Sequence, residues 1–196
     1  MKRWWFALLV IGCAHTAQTE KPKASAVAEY YPLGVGNTWS YEGTMLGGPA
    51  KIDVSIVKED QGKFTDSNGN VMSVDGYGIR DEKRYLLRTP LEVGTRWNNV
   101  VSISSYEQYT IVEAGQDCEA PVGSFKNCVV VESRNKDQGD RLLVNTMTFA
   151  PKVGVIRIAT ALEDQGKRIP QVKLELTKYQ VGPGANRPAE APASTR

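Results

Sequence analysis

Residues 38–56, TWSYEGTMLGGPAKIDVSI, decide the fold class. Apolar side chains recur at alternate positions on both sides of the central glycines, as Trp39 and Tyr41 do before them and Ile52 after them. A period of two is typical of a β-strand with one buried face, and the Gly-Gly-Pro sequence at 47–49 favours a turn. The segment therefore predicts an antiparallel hairpin.

The same alternation returns along most of the chain, and glycine-bearing turns separate the runs. No stretch shows three turns of amphipathic helix. We therefore predict a mainly β domain over residues 30–181, an antiparallel meander of about ten to twelve strands with few or no helices. It should curve into a half-barrel or barrel-like sheet, so that the apolar face is covered. The later runs are Tyr109/Ile111, Val129/Val131, Ile156/Ile158 and Val172/Leu174/Leu176.

One segment occurs twice. Residues 32–39, PLGVGNTW, return at 90–97 as PLEVGTRW, identical at five of eight positions. We expect the Leu and Val of each copy to point inward and the tryptophan to open the next strand. Large aromatic side chains usually serve packing, so we interpret Trp39 and Trp97 as core residues. The alternative is an aromatic lip that binds a ligand.

These motifs resemble a group of secreted or lipid-anchored bacterial proteins of unassigned activity. The likeness rests on residues 30–41, the second copy at 90–97, the turn PVGSF at 121–125 and the segment APKVGVI at 150–156. In that last segment, Lys152 stands where glycine is common. The resemblance implies a β-rich fold, similar in shape to the half-barrels of periplasmic lipoprotein carriers, and implies no function.

The amino terminus carries an export signal. Lys2 and Arg3 precede an apolar run from residue 4 to residue 11, which is too short to span a bilayer as a helix. Residues 10–13, VIGC, resemble the lipobox of bacterial lipoprotein precursors, in which the cysteine receives diacylglycerol. The resemblance implies lipid attachment at Cys13, and Ala14 after it favours the outer membrane. The alternative is a plain signal peptide cut near residue 17.

We accordingly divide the chain into four parts. Residues 1–12 form the signal peptide, and residues 13–29 the lipidated cysteine with a flexible linker of small and polar residues. The β-rich domain occupies 30–181. Residues 182–196, GPGANRPAEAPASTR, are predicted to be a disordered tail.

Two cysteines remain after Cys13. Cys118 and Cys128 flank a turn-forming sequence, which would place them across from each other on neighbouring strands, within disulfide range. A metal or catalytic pair would lack both the CxxC spacing and a nearby histidine. We therefore predict a disulfide in an oxidising compartment.

Several kinds of chemistry are excluded or disfavoured. His15 is the single histidine and lies in the linker, which excludes Ser-His-Asp and Cys-His catalysis in the domain. Residues 66–70, DSNGN, favour a plain turn over a calcium loop. We expect no metal, cofactor or catalytic residue. Residues 13–196 carry 22 basic and 22 acidic residues, so no nucleic-acid partner is expected either.

These observations predict a non-catalytic outer-membrane lipoprotein with its domain in the periplasm or at the cell surface. It would bind another envelope component, either a protein or an apolar ligand. Three alternatives stay open: a periplasmic carrier or chaperone for a lipid or lipoprotein, a histidine-free hydrolase that uses carboxylates, and a structural spacer.

Overall fold

The computed structural model describes residues 26–103, 105–136 and 139–182. Within these ranges the chain forms one 3-10 helix, η1, and twelve strands, and none of its helices is long and apolar enough to cross a bilayer. The elements are η1 Ala26–Tyr30, β1 Thr38–Met45, β2 Gly48–Asp60, β3 Lys63–Asp66, β4 Val71–Val74, β5 Gly78–Arg80, β6 Tyr85–Arg88, β7 Arg96–Ser102, β8 Ser105–Ala120, β9 Gly123–Lys136, β10 Leu142–Ala150, β11 Gly154–Asp164 and β12 Lys167–Gln180.

All twelve strands belong to one antiparallel sheet. Its order is β6-β5-β4-β3-β2-β1-β12-β11-β10-β9-β8-β7, so each half of the chain is a continuous six-strand meander. β1 pairs with β12 from Thr38 opposite Gln180 to Met45 opposite Val172. The sheet is barrel-shaped and nearly closed, with β6 and β7 as its two edges. The predicted fold class and strand number are confirmed.

The barrel has two distinct ends. At the η1 end, β1 begins and the Lys152 N–H donates to the Glu29 carbonyl at 2.6 Å. At the hairpin end lie the β1–β2 turn and the β11–β12 turn. Residues 26–29, which we assigned to the linker, belong to η1 instead, because Val27 is completely buried and ties them to the domain. Residues 13–25 and the predicted tail from residue 183 lie outside the described residues.

The core follows from the alternation. Side chains at every second position of the long strands enter one buried cluster, which also receives Val27 from η1. Its largest fully buried members include Trp39, Phe149, Ile56 and Ile111. Burying a side chain of this size stabilises the fold by about 1.5–3 kcal/mol, which makes the inner face the main source of stability.

The two copies of the repeated segment form equivalent turns. Their glycines, Gly36 and Gly94, have φ angles of +88° and +91°, a conformation that glycine adopts without a Cβ clash. Each glycine N–H donates to the carbonyl of an inward isoleucine, Ile56 or Ile111, on the strand that pairs next along the chain. The first turn is thus tied to β2 and the second to β8, the strand that pairs with the one each turn precedes.

The valines of these turns correct one prediction. Leu33 is completely buried as expected, but Val35 and Val93 are 60% and 65% exposed. The Asn37 N–H donates to the Gly34 carbonyl, which closes a β-turn with Val35 at its tip. In the second copy, the Thr95 N–H donates to the Glu92 carbonyl and places Val93 at the tip of the equivalent turn. A residue at the tip of such a turn points to solvent. Alternation failed here because the segment is a turn and not yet a strand.

Candidate functional site

The two edges of the sheet, β6 and β7, meet at a seam that side chains bridge. Asn99 accepts the Tyr85 N–H through Oδ1 at 3.0 Å and donates Nδ2–H to the Tyr85 carbonyl at 3.0 Å. The Trp97 indole N–H donates to the same carbonyl at 2.8 Å. Asn99 therefore offers Tyr85 the donor and acceptor that a neighbouring strand would offer. The barrel closes here without a backbone ladder.

A buried glutamate lies beside the seam. Glu107 is 7% exposed and accepts two hydrogen bonds at Oε2, from the Arg84 Nε–H and from the Tyr109 hydroxyl, both at 2.8 Å. Burial, and then the bond to Glu107, raise the pKa of Tyr109, and the same carboxylate raises the pKa of Arg84. The carboxylate is thus paired and keeps both partners protonated.

Polar side chains continue along the inner face of the next strands. The Thr160 hydroxyl donates to Asn145 Oδ1 at 2.8 Å, and Asn145 Nδ2 donates to Ser133 Oγ at 3.4 Å. Ser133 lies directly opposite Tyr109, and it is buried. These groups hydrogen-bond to one another, as buried polar groups normally do. Asn145 and Thr160 are half-buried, and Ser133 is buried.

The outer face over β7–β9 carries a shallow depression of about 170 Å³, which is smaller than the roughly 300–1,000 Å³ of common ligand sites. Its lining residues are Arg96, Trp97, Asn98, Gln108, Tyr109, Thr110, Glu132 and Arg134.

Two of these residues extend into an ion-pair network. Arg134 contacts Glu132 at 2.7 Å and Glu163 at 3.5 Å, and Arg168 contacts the same two carboxylates at 3.0 and 3.2 Å. Burial alone would raise the pKa of Glu132, but hydrogen bonds from both guanidinium groups lower it below its ordinary value. A carboxyl group with a lowered pKa is a poor proton donor at neutral pH.

A second feature of the outer face is the arginine–tyrosine cluster, which we define as Asp75, Tyr77, Arg80, Tyr85 and Arg88. The guanidinium carbons of Arg80 and Arg88 both lie 5.1 Å from the centroid of the Tyr85 ring, and that of Arg88 lies 5.9 Å from the Tyr77 ring. The Tyr85 hydroxyl donates to Asp75 Oδ2 at 2.7 Å. Such cation–π contacts orient the cations over the rings.

The alternation of the sequence does not reveal this cluster. Strict alternation would place positions 85 and 88 on opposite faces of β6. The register shift between Ile79 and Arg80 leaves Leu86 as an extra residue, and this bulge returns both side chains to the same face. A bulge of this kind has no signature in the sequence of one short strand.

The predicted disulfide is present. Cys118 and Cys128 are bonded, with their Cα atoms 6.0 Å apart. They are not directly opposite each other, because Cys118 faces Phe125 and Cys128 faces Gln116 across a register shift. The bond lies in the part of the β8–β9 hairpin that extends beyond β7 and β10, which we call the arm. Arg157 donates to the Glu119 carbonyl at 2.9 Å and ties the arm to β11.

Removing the disulfide should weaken the domain without unfolding it. We expect the double variant Cys118→Ala/Cys128→Ala to lose about 2.5–3 kcal/mol of unfolding free energy, because the bond closes a loop of ten residues' separation in the unfolded chain. Urea denaturation of the variant and the parent measures the difference. In the parent, both thiols should resist alkylation until they are reduced. Full alkylation without reductant would contradict the bond.

The two tryptophans predicted as core residues or a ligand lip do not share a site. Trp39 and Trp97 are 1% and 6% exposed, and Trp39 packs against Tyr31 while Trp97 stacks on Tyr109 at 5.3 Å. This burial favours core residues over a ligand lip. Cys13 and His15 lie outside the described residues. Among the residues described, no group of three or more His, Cys, Asp or Glu side chains is placed to hold a metal ion.

No family model matches the chain, and no curated protein matches it. Two solved structures are similar. One is a protein described as exported, with a YmcC-like fold, from Bacteroides fragilis, at 11% identity over 78% of this chain and 99% of that chain, with a TM-score of 0.44. The other is described as a lipoprotein, from Parabacteroides distasonis, at 10% identity over 78% and 98%, with a TM-score of 0.42. The chain is thus distantly similar in fold to these two proteins.

Proposed function

We propose that this chain is a lipoprotein of the outer membrane whose barrel binds another envelope component at its outer surface, without catalysis. The observation that carries the proposal is that the described side chains of the inner face pack or hydrogen-bond against one another. On the inner face, apolar side chains form one cluster, and the polar side chains from Glu107 to Thr160 bond to one another or to Arg84. Recognition is therefore expected on the outer face, where arginine and tyrosine side chains are accessible.

The charged groups also favour binding over hydrolysis. A carboxylate hydrolase needs a carboxyl group with a raised pKa to act as the general acid. The pKa values of Glu132 and Glu175 are both lowered. In Glu175 the main cause is the hydrogen bond from Lys173. The hydrolase alternative would need a carboxyl group with a raised pKa that faces a second carboxyl group in a cleft.

Anchoring at Cys13 is supported by the VIGC sequence after a short apolar run and by the disulfide, since disulfides persist in oxidising compartments outside the cytoplasm. A single acyl chain binds a membrane only weakly, whereas several chains anchor stably. The proposal therefore requires the multiply acylated cysteine of a lipoprotein.

The first test is metabolic labelling with a fatty acid. Cys13→Ala should abolish the label and block cleavage before residue 13, because the thiol is the acceptor. The double variant Cys118→Ala/Cys128→Ala, which keeps Cys13, should retain the full label and serves as the control. Unchanged label in Cys13→Ala would refute the lipoprotein assignment.

The second test identifies what is bound. Crosslinking in intact envelopes, with the lipid extract of the purified complex analysed alongside, separates the candidates. A crosslinked protein lost on substitution of outer-face residues supports the proposal. One lipid molecule retained per barrel, with no crosslinked protein, would favour the carrier alternative.

A further inference from the structure

The arginine–tyrosine cluster contains two arginines and one carboxylate, that of Asp75, so it carries an excess of one positive charge. Arg80 Nε–H donates to the Asp81 carbonyl at 3.3 Å, which leaves its charge unpaired. Elsewhere, Arg84, Arg134, Arg157 and Arg168 each contact a carboxylate. Arg80 and Arg88 have no carboxylate within 4 Å among the described residues. Arg88 Nε is also buried without a hydrogen-bond partner there. This atom is enclosed, so a ligand would contact the rest of the guanidinium group, which lies over the Tyr77 and Tyr85 rings.

The cluster is organised before any ligand arrives. Asp75 accepts the N–H groups of Tyr77 and Gly78 at 2.8 and 3.0 Å through Oδ1, and the Tyr85 hydroxyl at Oδ2. Both Asp75 oxygens therefore accept hydrogen bonds, one from the turn and one from the Tyr85 ring over which the two guanidinium groups lie. Two cations are held over one ring, while the Tyr77 ring is 65% exposed.

The cluster lies close to where the chain enters the domain. Its arginines are on the face of the sheet opposite Ile79 and Leu87, which are completely buried. η1 contacts β5, and Val27 of η1 belongs to the same buried cluster as Ile79. η1 therefore packs on the buried side of β5, and Arg80 lies on the opposite face of that same strand. Twelve residues lie between Cys13 and Ala26, and the thirteen steps along the chain span at most about 45 Å.

We infer that the arginine–tyrosine cluster binds the phosphate groups of anionic lipid headgroups, so that the outer face of β4–β6 docks on the membrane. The inference deepens the proposed function and rests on its anchor at Cys13, which would keep the membrane within reach. Guanidinium groups bind phosphate through planar pairs of N–H donors, and tyrosine is favoured at the membrane–water interface. Docking would lay this side of the barrel against the lipid.

The test uses the mature chain, residues 13–196, with Cys13→Ala, so that no acyl chain contributes to binding. Co-sedimentation with vesicles of phosphatidylglycerol and phosphatidylethanolamine is compared with vesicles of phosphatidylcholine alone. Binding should require the anionic vesicles and weaken as salt rises. Arg80→Gln and Arg88→Gln should each lower the affinity about fivefold, and the double variant about 25-fold. Lys136→Gln, an exposed cation at the hairpin end, is the matched control and should change little.

Circular dichroism melts of each variant establish that the fold is retained. If the double variant melts early, Arg88→Lys replaces it, since lysine keeps the charge but loses the planar stacking and should bind more weakly. Equal binding to phosphatidylcholine would overturn the inference. Inorganic phosphate that competes at equal phosphate concentration would also overturn it, because the site would then bind free phosphate and not a lipid surface. Binding of the polyanion polygalacturonate without binding of vesicles would overturn it as well, because the ligand would then be a soluble polyanion. Because the chain carries no lipid, these outcomes are independent of the labelling result at Cys13.

Discussion

Replacing Asn99 with alanine should lower the free energy of unfolding by about 2–4 kcal/mol. The substitution removes both hydrogen bonds between the Asn99 side chain and Tyr85. The Tyr85 carbonyl keeps the Trp97 indole, but the Tyr85 N–H loses its partner, at a cost of about 1–3 kcal/mol. Urea denaturation measures the loss. Hydrogen exchange should show the Tyr85 amide exchanging faster than the amides of β8.

The neighbouring Asn98 provides a matched control. It carries the same side chain one position earlier but is exposed on the other face of β7, so Asn98→Ala should change stability by less than about 0.5 kcal/mol. Asn99→Asp is a sharper variant, because it can accept the Tyr85 N–H but has no N–H to donate to the carbonyl. Equal stability of Asn99→Ala and Asn98→Ala would show that the seam does not depend on this side chain.

Replacing Trp39 with alanine should cost about 3–5 kcal/mol, the usual range for removing a buried tryptophan. The ring is almost fully buried, and its Nε1–H donates to the Val153 carbonyl at 2.7 Å. The pairing of β11 with β12 begins only at Arg157. The Val153 carbonyl lies before that point, so β12 offers it no backbone N–H and the indole takes that place. Tyr41 serves the next such carbonyl, that of Val155, at 2.8 Å.

Thermal melts and tryptophan fluorescence together test this prediction. The parent should emit at blue-shifted wavelengths. Trp39→Phe should lie between parent and Trp39→Ala, since it keeps an aromatic ring against Tyr31 and loses the hydrogen bond. Val35→Ala, in the same turn but exposed, is the control and should be nearly neutral. Wild-type stability in Trp39→Ala, with red-shifted emission in the parent, would restore the ligand-lip interpretation.

The fold class was predictable because alternation reports directly on one-sided burial. Residues such as Trp39, Ile56, Ile111 and Leu176 are buried as the period of two requires. The predicted disulfide followed from a turn between two cysteines. The failures occurred where backbone geometry departs from a regular strand, at the exposed Val35 and Val93 and at the start of η1.

The candidate site was much less predictable than the fold. The seam depends on which strands become edges, which is a property of the whole sheet and not of any short segment. Asn99 carries no pattern that distinguishes it from Asn98. The arginine–tyrosine cluster depends on a bulge at Leu86 and on contacts between β5 and β6. Such features arise from tertiary structure, so one sequence without its register does not reveal them.

The pairing of β1 with β12 has a consequence for the order of folding. Thr38 and Gln180 are partners although 142 positions separate them, so this ladder closes one of the largest loops that the domain allows. During synthesis the amino-terminal half emerges first, and β1 then exposes an unpaired edge until the last strand has been made. Each half is a meander of sequence neighbours and can form early, whereas the joint between them forms last. Folding should therefore be slow compared with a helical domain of this size, and an unjoined first half is the species most exposed to aggregation.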